Sequence, residues 1–239
     1  MAKILALDTS TDACSVALHV NGESHEIFKV IPRMHTHELL PMVQELLAQA
    51  QLSVAQLDAI AFGRGPGSFA GIRIATGVAQ GLAFAADLGV IPVSSLAALA
   101  QGYYREKNAE LSDEQWGNLE IVTAFDARMN EVYWGSYHIK EGIAQIVLNE
   151  QVSGPEQLLL NNDSHRNYIG VGSGFNYLAN MERSTVEQLT LIESAAHPHS
   201  QDIVAIAKTE FLLGNMVDAA AAQPVYLRNQ VTWKKKDQQ

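Results

Sequence analysis

One cysteine, Cys14, stands among 239 residues, so no disulfide can close within the chain and a reducing compartment is expected. Basic residues are scarce as well. The 26 Asp and Glu against 16 Lys and Arg give a formal net charge of −10, which disfavours the surface as a whole as a docking face for nucleic acid or an anionic membrane. Contact with RNA would have to be local or shared, and the run Lys234 to Lys236 reads first as a solvated tail. No stretch reaches the roughly eighteen uncharged apolar residues of a membrane span. The short apolar run Ile4 to Leu7 stops at Asp8, and a cytoplasmic location without membrane contact is expected.

Familiar catalytic signatures are missing too. The glycine turn Gly63 to Gly67 is followed by no Lys-Ser or Lys-Thr at P-loop spacing, and in Gly170-Val171-Gly172-Ser173-Gly174 the next position, where a dinucleotide fingerprint needs glycine, is Phe175. On a helix His35 and His37 lie about 200° apart, and Leu39 holds the place a helical zinc pair gives to its second histidine. Both histidines are therefore expected at the surface, with no metal site. Spacing supports neither a Ser-His-Asp nor a Cys-His constellation. With 47% hydrophobic and 18% charged residues, what remains is globular material for one large or two small domains.

The pattern of strands and helices is mixed α/β. An apolar strand ends at Asp8, a polar turn follows, and strands over 13–20 and 25–30 are joined by Asn21-Gly22. A helix is expected over 38–51, with Pro41 in its first turn, then a strand over 57–62 feeding the glycine turn. Ser68 caps a long helix to about Ala86, a strand spans 90–93, and Ser94 or Ser95 caps a helix to about Tyr104. The polar stretch 106–118 marks a boundary between a lobe at 1–105 and a smaller one at 106–239. Beyond it, an apolar strand ending at Asp126, a tight turn and a strand over 131–139 repeat the N-terminal unit. A helix near 155–160, a strand at 168–171 and a helix at 200–213, free to pack back on the first lobe, complete the reading.

Two helices carry more apolar surface than one sheet can cover. Leu39, Leu40, Met42, Val43, Leu46, Leu47 and Ala50 span an arc of about 160°. On the second helix Ile72, Ile74, Ala75, Val78, Ala79, Leu82 and Ala83 leave only a narrow polar stripe of Arg73, Thr76, Gln80 and Asp87. Gly71, Gly77 and Gly81 each cost about 1 kcal/mol of helix propensity, which close approach by a neighbouring backbone would offset. The turn after Asp8, with Thr9, Ser10 and Thr11, has the residue types of a phosphate-holding hairpin whose carboxylate would hold a metal through water, and equally those of an ordinary polar turn. Its counterpart has Ala127 and Arg128 after Asp126. A bulky cation there fills phosphate space or pairs with an acidic neighbour, so the second hairpin reads as degenerate.

Four stretches, ILALDTSTDACSVAL, GRGPGSFAGIRI, DARMNEVYW and PVYLRNQVTWKK, in this order resemble the TsaB (YeaZ) family of bacterial tRNA-modification proteins. Ala70 stands where the family commonly has Thr. The resemblance implies the two-lobed fold of actin, Hsp70 and sugar kinases with a reduced second lobe, no cofactor and no catalysis of its own. It implies binding to TsaD, the subunit that transfers threonylcarbamoyl to the adenosine beside the tRNA anticodon, with the ATPase TsaE joining the pair, a homodimer when alone, and tRNA contact only through the complex. It also implies that the two helices pair with their TsaD counterparts. Leu39, Met42, Val43, Leu46 and Leu47 of the first helix, and Ile72, Ala75, Gly77, Val78, Gly81 and Leu82 of the second, are the interface residues expected. An ATP-dependent kinase or ATPase using Asp8, and a metallopeptidase-like protein, are the alternatives.

Overall fold

The computed structural model describes residues 2–161 and 166–228. Its first half is a sheet of β1 (Ile4–Asp8), β2 (Ala13–Val20), β3 (Glu23–Val30), β4 (Ala59–Gly65) and β5 (Gly89–Ser94), in the order β3-β2-β1-β4-β5. β1 runs antiparallel to β2 and parallel to β4. Alternation along these strands sorts the side chains to two faces. Leu5, Leu7, Val16, Ile60 and Phe62 meet α1 (His35–Gln49) and α2 (Phe69–Ala86), whereas Ile4, Ala6, Ala17, Ala59 and Ala61 point the other way. Four of those five are alanine, which lets a helix approach closely.

That helix comes from the far end of the chain. α6 (Ser200–Leu212) lies on the alanine-rich face of the first sheet, its start fixed by Ser200, whose amide donates to Ser15 Oγ at 3.0 Å. The second sheet contains β6 (Leu119–Arg128), β7 (Glu131–Lys140), β8 (Ile143–Ser153), β9 (Asn167–Val171) and β10 (Leu189–Glu193), in the order β10-β9-β6-β7-β8. Read from β8, this repeats the strand order of the first sheet, with the same antiparallel and parallel neighbours. α3 (Ser95–Lys107), which closes the first half, packs on the second sheet. Its Gln101 holds the β7–β8 hairpin at both ends of its amide, donating to the Gly142 carbonyl and accepting from the Ala144 amide, each at 2.9 Å. α3 and α6 pack on each other between the sheets, joined by Arg105 and the buried Asp202 at 2.8 Å.

The halves thus exchange their last helices, and the architecture is the two-lobed actin-like fold. Reduction of the second half lies in its helices. Where the first sheet carries α1 and α2, the second is covered by Leu158, Phe175 and Met181 from short turns, among them the 3-10 stretches Pro155–Gln157 and Ser173–Asn180. The expected helix at 155–160 is therefore only one 3-10 turn. Two short helices, α4 (Asp113–Gly117) and α5 (Arg183–Gln188), and the strands β8 and β10 were not marked by the sequence pattern.

Candidate functional site

The β1–β2 turn is held from beneath. Asp8 is buried, and its Oδ1 accepts from the amide of Ser10 at 2.9 Å and from its hydroxyl at 2.8 Å, while Oδ2 accepts from Ser95 Oγ at 3.3 Å. Thr9 donates its hydroxyl to the Gly71 carbonyl at 2.6 Å, and the Ser10 carbonyl accepts from the Ser68 amide at 2.7 Å. Glycine is required opposite each of these. A Cβ on Gly63 would lie 1.8 Å from Asp8 Oδ2, on Gly67 2.4 Å from the Ser10 carbonyl oxygen, and on Gly71 1.9 Å from that of Thr9. The glycine stretch is a mould for residues 8–10. Burial pushes the Asp8 carboxyl up to about 6 against the pull of Ser10 and Ser95. Of the two readings open for this turn, phosphate-holding hairpin or ordinary polar turn, the hydrogen bonds favour the second: the Asp8 and Thr9 side chains are both engaged within the chain's own turn.

Between the lobes lies a cavity of about 790 Å³, within the size range of ligand pockets. Ser10, Thr11 and Asp12 face it from the first lobe, and Asp126, Ala127 and Arg128 from the second. Thr11 Oγ1 bonds His197 Nδ1 at 3.1 Å, and burial holds that imidazole below its usual range. Arg128 folds back on Asp126, Nη1 to Oδ2 at 3.0 Å, and its own amide donates to Oδ1 at 2.7 Å. The carboxylate that a metal or phosphate-bound cation would use is thereby neutralised by its neighbour two residues on.

His35 and His37 do not converge. His35, expected at the surface, is instead buried at the start of α1 with Nε2 3.2 Å from the Ala13 carbonyl, whereas His37 is exposed. Among the described residues no group of three or more His, Cys, Asp and Glu could hold a metal ion.

The expected partner surface divides in two. Leu39, Met42, Val43, Leu46 and Leu47 of α1, with Ile72 and Ala75 of α2, are buried in the protein's own core, which corrects their assignment to an interface. An arc of about 160° is what two contacts inside one lobe require, the sheet and the neighbouring helix. Gly77, Val78, Gly81 and Leu82 lie on the other side. Gly77 and Gly81 are exposed, with nothing within 4 Å of a Cβ on either, and Val78 and Leu82 are half-buried beside them. Phe69 and Phe84, 58% and 82% exposed, extend this strip along α2. Among the described residues the two glycines therefore find no close neighbour. α2 is long and apolar enough to cross a membrane by length and composition alone; here its inner side packs on β4. Its polar stripe is covered by the C-terminal segment, with Gln80 Nε2 donating to the Ala222 carbonyl at 2.8 Å and Arg73 Nε to Tyr226 Oη at 2.7 Å.

Comparison with known proteins agrees across nearly the whole chain. The family model described as TsaD, tRNA N6-adenosine threonylcarbamoyltransferase, matches residues 29–236. The tRNA threonylcarbamoyladenosine biosynthesis protein TsaB of Haemophilus influenzae is 43% identical, with 97% of this chain and 96% of that one covered. Its namesake in Escherichia coli is 39% identical over 98% and 97%. The solved structure of YeaZ from Pseudomonas aeruginosa is 43% identical and superposes with a TM-score of 0.86, covering 95% of this chain and 100% of that one.

Proposed function

This chain belongs to the TsaB family of tRNA threonylcarbamoyladenosine biosynthesis proteins, and from that premise we propose that it serves tRNA modification as a non-catalytic subunit. It binds TsaD, TsaE joins the pair, and the assembly transfers threonylcarbamoyl to the adenosine beside the anticodon. The observation that carries this reading is the outer strip of α2, where Gly77 and Gly81 give up helix propensity at the surface and meet no other described residue. A helix of a partner can approach such a strip closely. A second copy of the chain presents the same strip, so a homodimer is expected when TsaD is absent.

A kinase or ATPase needs a carboxylate and donors directed into the cleft, and here Asp8 is sealed behind Gly63, Ser10 and Ser95 while Asp126 is engaged by Arg128. The test is reconstitution of tRNA threonylcarbamoylation from purified TsaD, TsaE and this chain, with tRNA and an activated threonylcarbamoyl donor supplied and each protein omitted in turn. Omission of this chain is expected to abolish the product, and the isolated chain to hydrolyse no ATP. Hydrolysis that disappears in Asp8→Ala would overturn the non-catalytic reading.

A further inference from the structure

Residues 222–228 run from the first lobe to the second along the rim of the cleft. Their start is fastened to the first lobe. The Ala222 carbonyl is held by Gln80, the Val225 amide donates to the Arg64 carbonyl at 2.8 Å, and Tyr226 Oη is held by Arg73, whose guanidinium also lies 3.5 Å over the Phe69 ring. Arg228 then reaches the second lobe. Its Nη2 donates to the carbonyls of Ala127 at 3.1 Å and Arg128 at 3.4 Å and pairs with the Glu131 carboxylate.

What Arg228 grips is an unfavourable turn. Arg128, Met129 and Asn130 have φ of 64°, 58° and 57°, three successive left-handed residues with a side chain, a conformation that L residues adopt singly and at a cost. Arg228 holds the carbonyl just before this run, that of Ala127, and the carbonyl of its first residue, Arg128. The three contacts converge on one guanidinium nitrogen, Nη2, whose positive charge serves two carbonyls and a carboxylate together. The packed pair α3 and α6 joins the lobes elsewhere, and no residue of either helix lines the cavity.

We propose that residues 222–228 are an interlobe strap, which keeps the 126–131 turn facing the Ser10–Asp12 turn and so sets the width of the cleft. Arg228 and Tyr226 are positioning residues in this device, and the proposal depends on contacts within the chain, not on any partner. With the strap cut, the lobes should swing on α3 and α6 while both sheets stay folded.

The experiment uses the full chain, comparing wild type with Arg228→Ala and Arg228→Lys by amide hydrogen exchange, thermal unfolding and the distance between spin labels on Gln44→Cys and Gln145→Cys. In Arg228→Ala, exchange at 127–131 is expected to rise by about ten-fold or more, with α6 and β1 unchanged, and the label distances to broaden. Arg228→Lys should fall between, keeping the charge on a shorter side chain. Unchanged exchange at 127–131 and an unchanged distance distribution in Arg228→Ala would overturn the strap. So would uniformly faster exchange with a lowered Tm, since Arg228 would then serve general stability.

Discussion

Glycines of one helix answer to opposite demands. At Gly71 a methyl group meets the Thr9 carbonyl at 1.9 Å, so Gly71→Ala should force the β1–β2 turn and α2 apart and destabilise by about 1–3 kcal/mol or more. At Gly77 a methyl group meets nothing among the described residues, so Gly77→Ala, read at a dilution that keeps the chain monomeric, should stabilise it by roughly 0.5–1 kcal/mol through helix propensity. Thermal unfolding of the two variants should move in opposite directions, and a loss of stability in both would contradict this division. Residue types indicated close approach at these glycines, but only the fold says which of them receive it. Asp8 is similar: a carboxylate beside three hydroxyls reads as a ligand site until the hydrogen bonds already made are counted. Its pKa carries a sign that can be tested. Raised from 3.8 to about 6, Asp8 stays protonated in the folded chain while the unfolded chain ionises, so its contribution is full below pH 3.8, falls as pH rises, and is gone above about 6. Asp202, also pushed up to about 6 by burial, acts in the same window. Asp8→Asn should therefore flatten part of the fall in stability between about pH 4 and 6, measured by denaturant unfolding against pH; an unaltered slope would mean that Asp8 does not titrate there.

At the scale of elements, periodicity located α1, α2 and α6 well, since each buries a broad apolar face. The start of α1 was less legible. Pro41 suggested a first turn, yet the helix begins at His35 and carries the proline in its second turn, with α1 held down by five buried side chains from Leu39 to Leu47. Tertiary packing outweighs the local penalty there. Which side of each helix faces outward could not be read from arcs, because a helix between a sheet and a second helix is apolar on both. The structure makes a paired test possible. Val43→Glu buries a carboxylate in the chain's own core and should lower stability by several kcal/mol, whereas Gly77→Leu should leave the isolated fold intact and weaken co-elution with TsaD by ten-fold or more. Full TsaD binding by a stably folded Gly77→Leu would move the partner surface off α2.

For the molecule as a whole, the repeated strand, Asp and turn revealed the duplication, and the structure extends it to five strands in each half. β8 and β10 leave little mark in the sequence because edge strands with mixed exposure lack a clean alternation. The net charge of −10 bears on the assembled function: tRNA affinity of this chain alone should be weak and fall steeply with salt, and submicromolar binding at physiological ionic strength without TsaD would refute that. The exchange of last helices carries a further consequence, for biosynthesis. A ribosome completes the first sheet and both its outer helices more than a hundred residues before Ser200–Leu212 is made, and through that interval the alanine-rich face at β1 and β2 lacks the helix that packs on it. α3 is made early but has as yet no second sheet to lie on. The nascent first half must therefore wait, open on one side, until Ser200–Leu212 is translated, and that waiting face is where a chaperone would be needed.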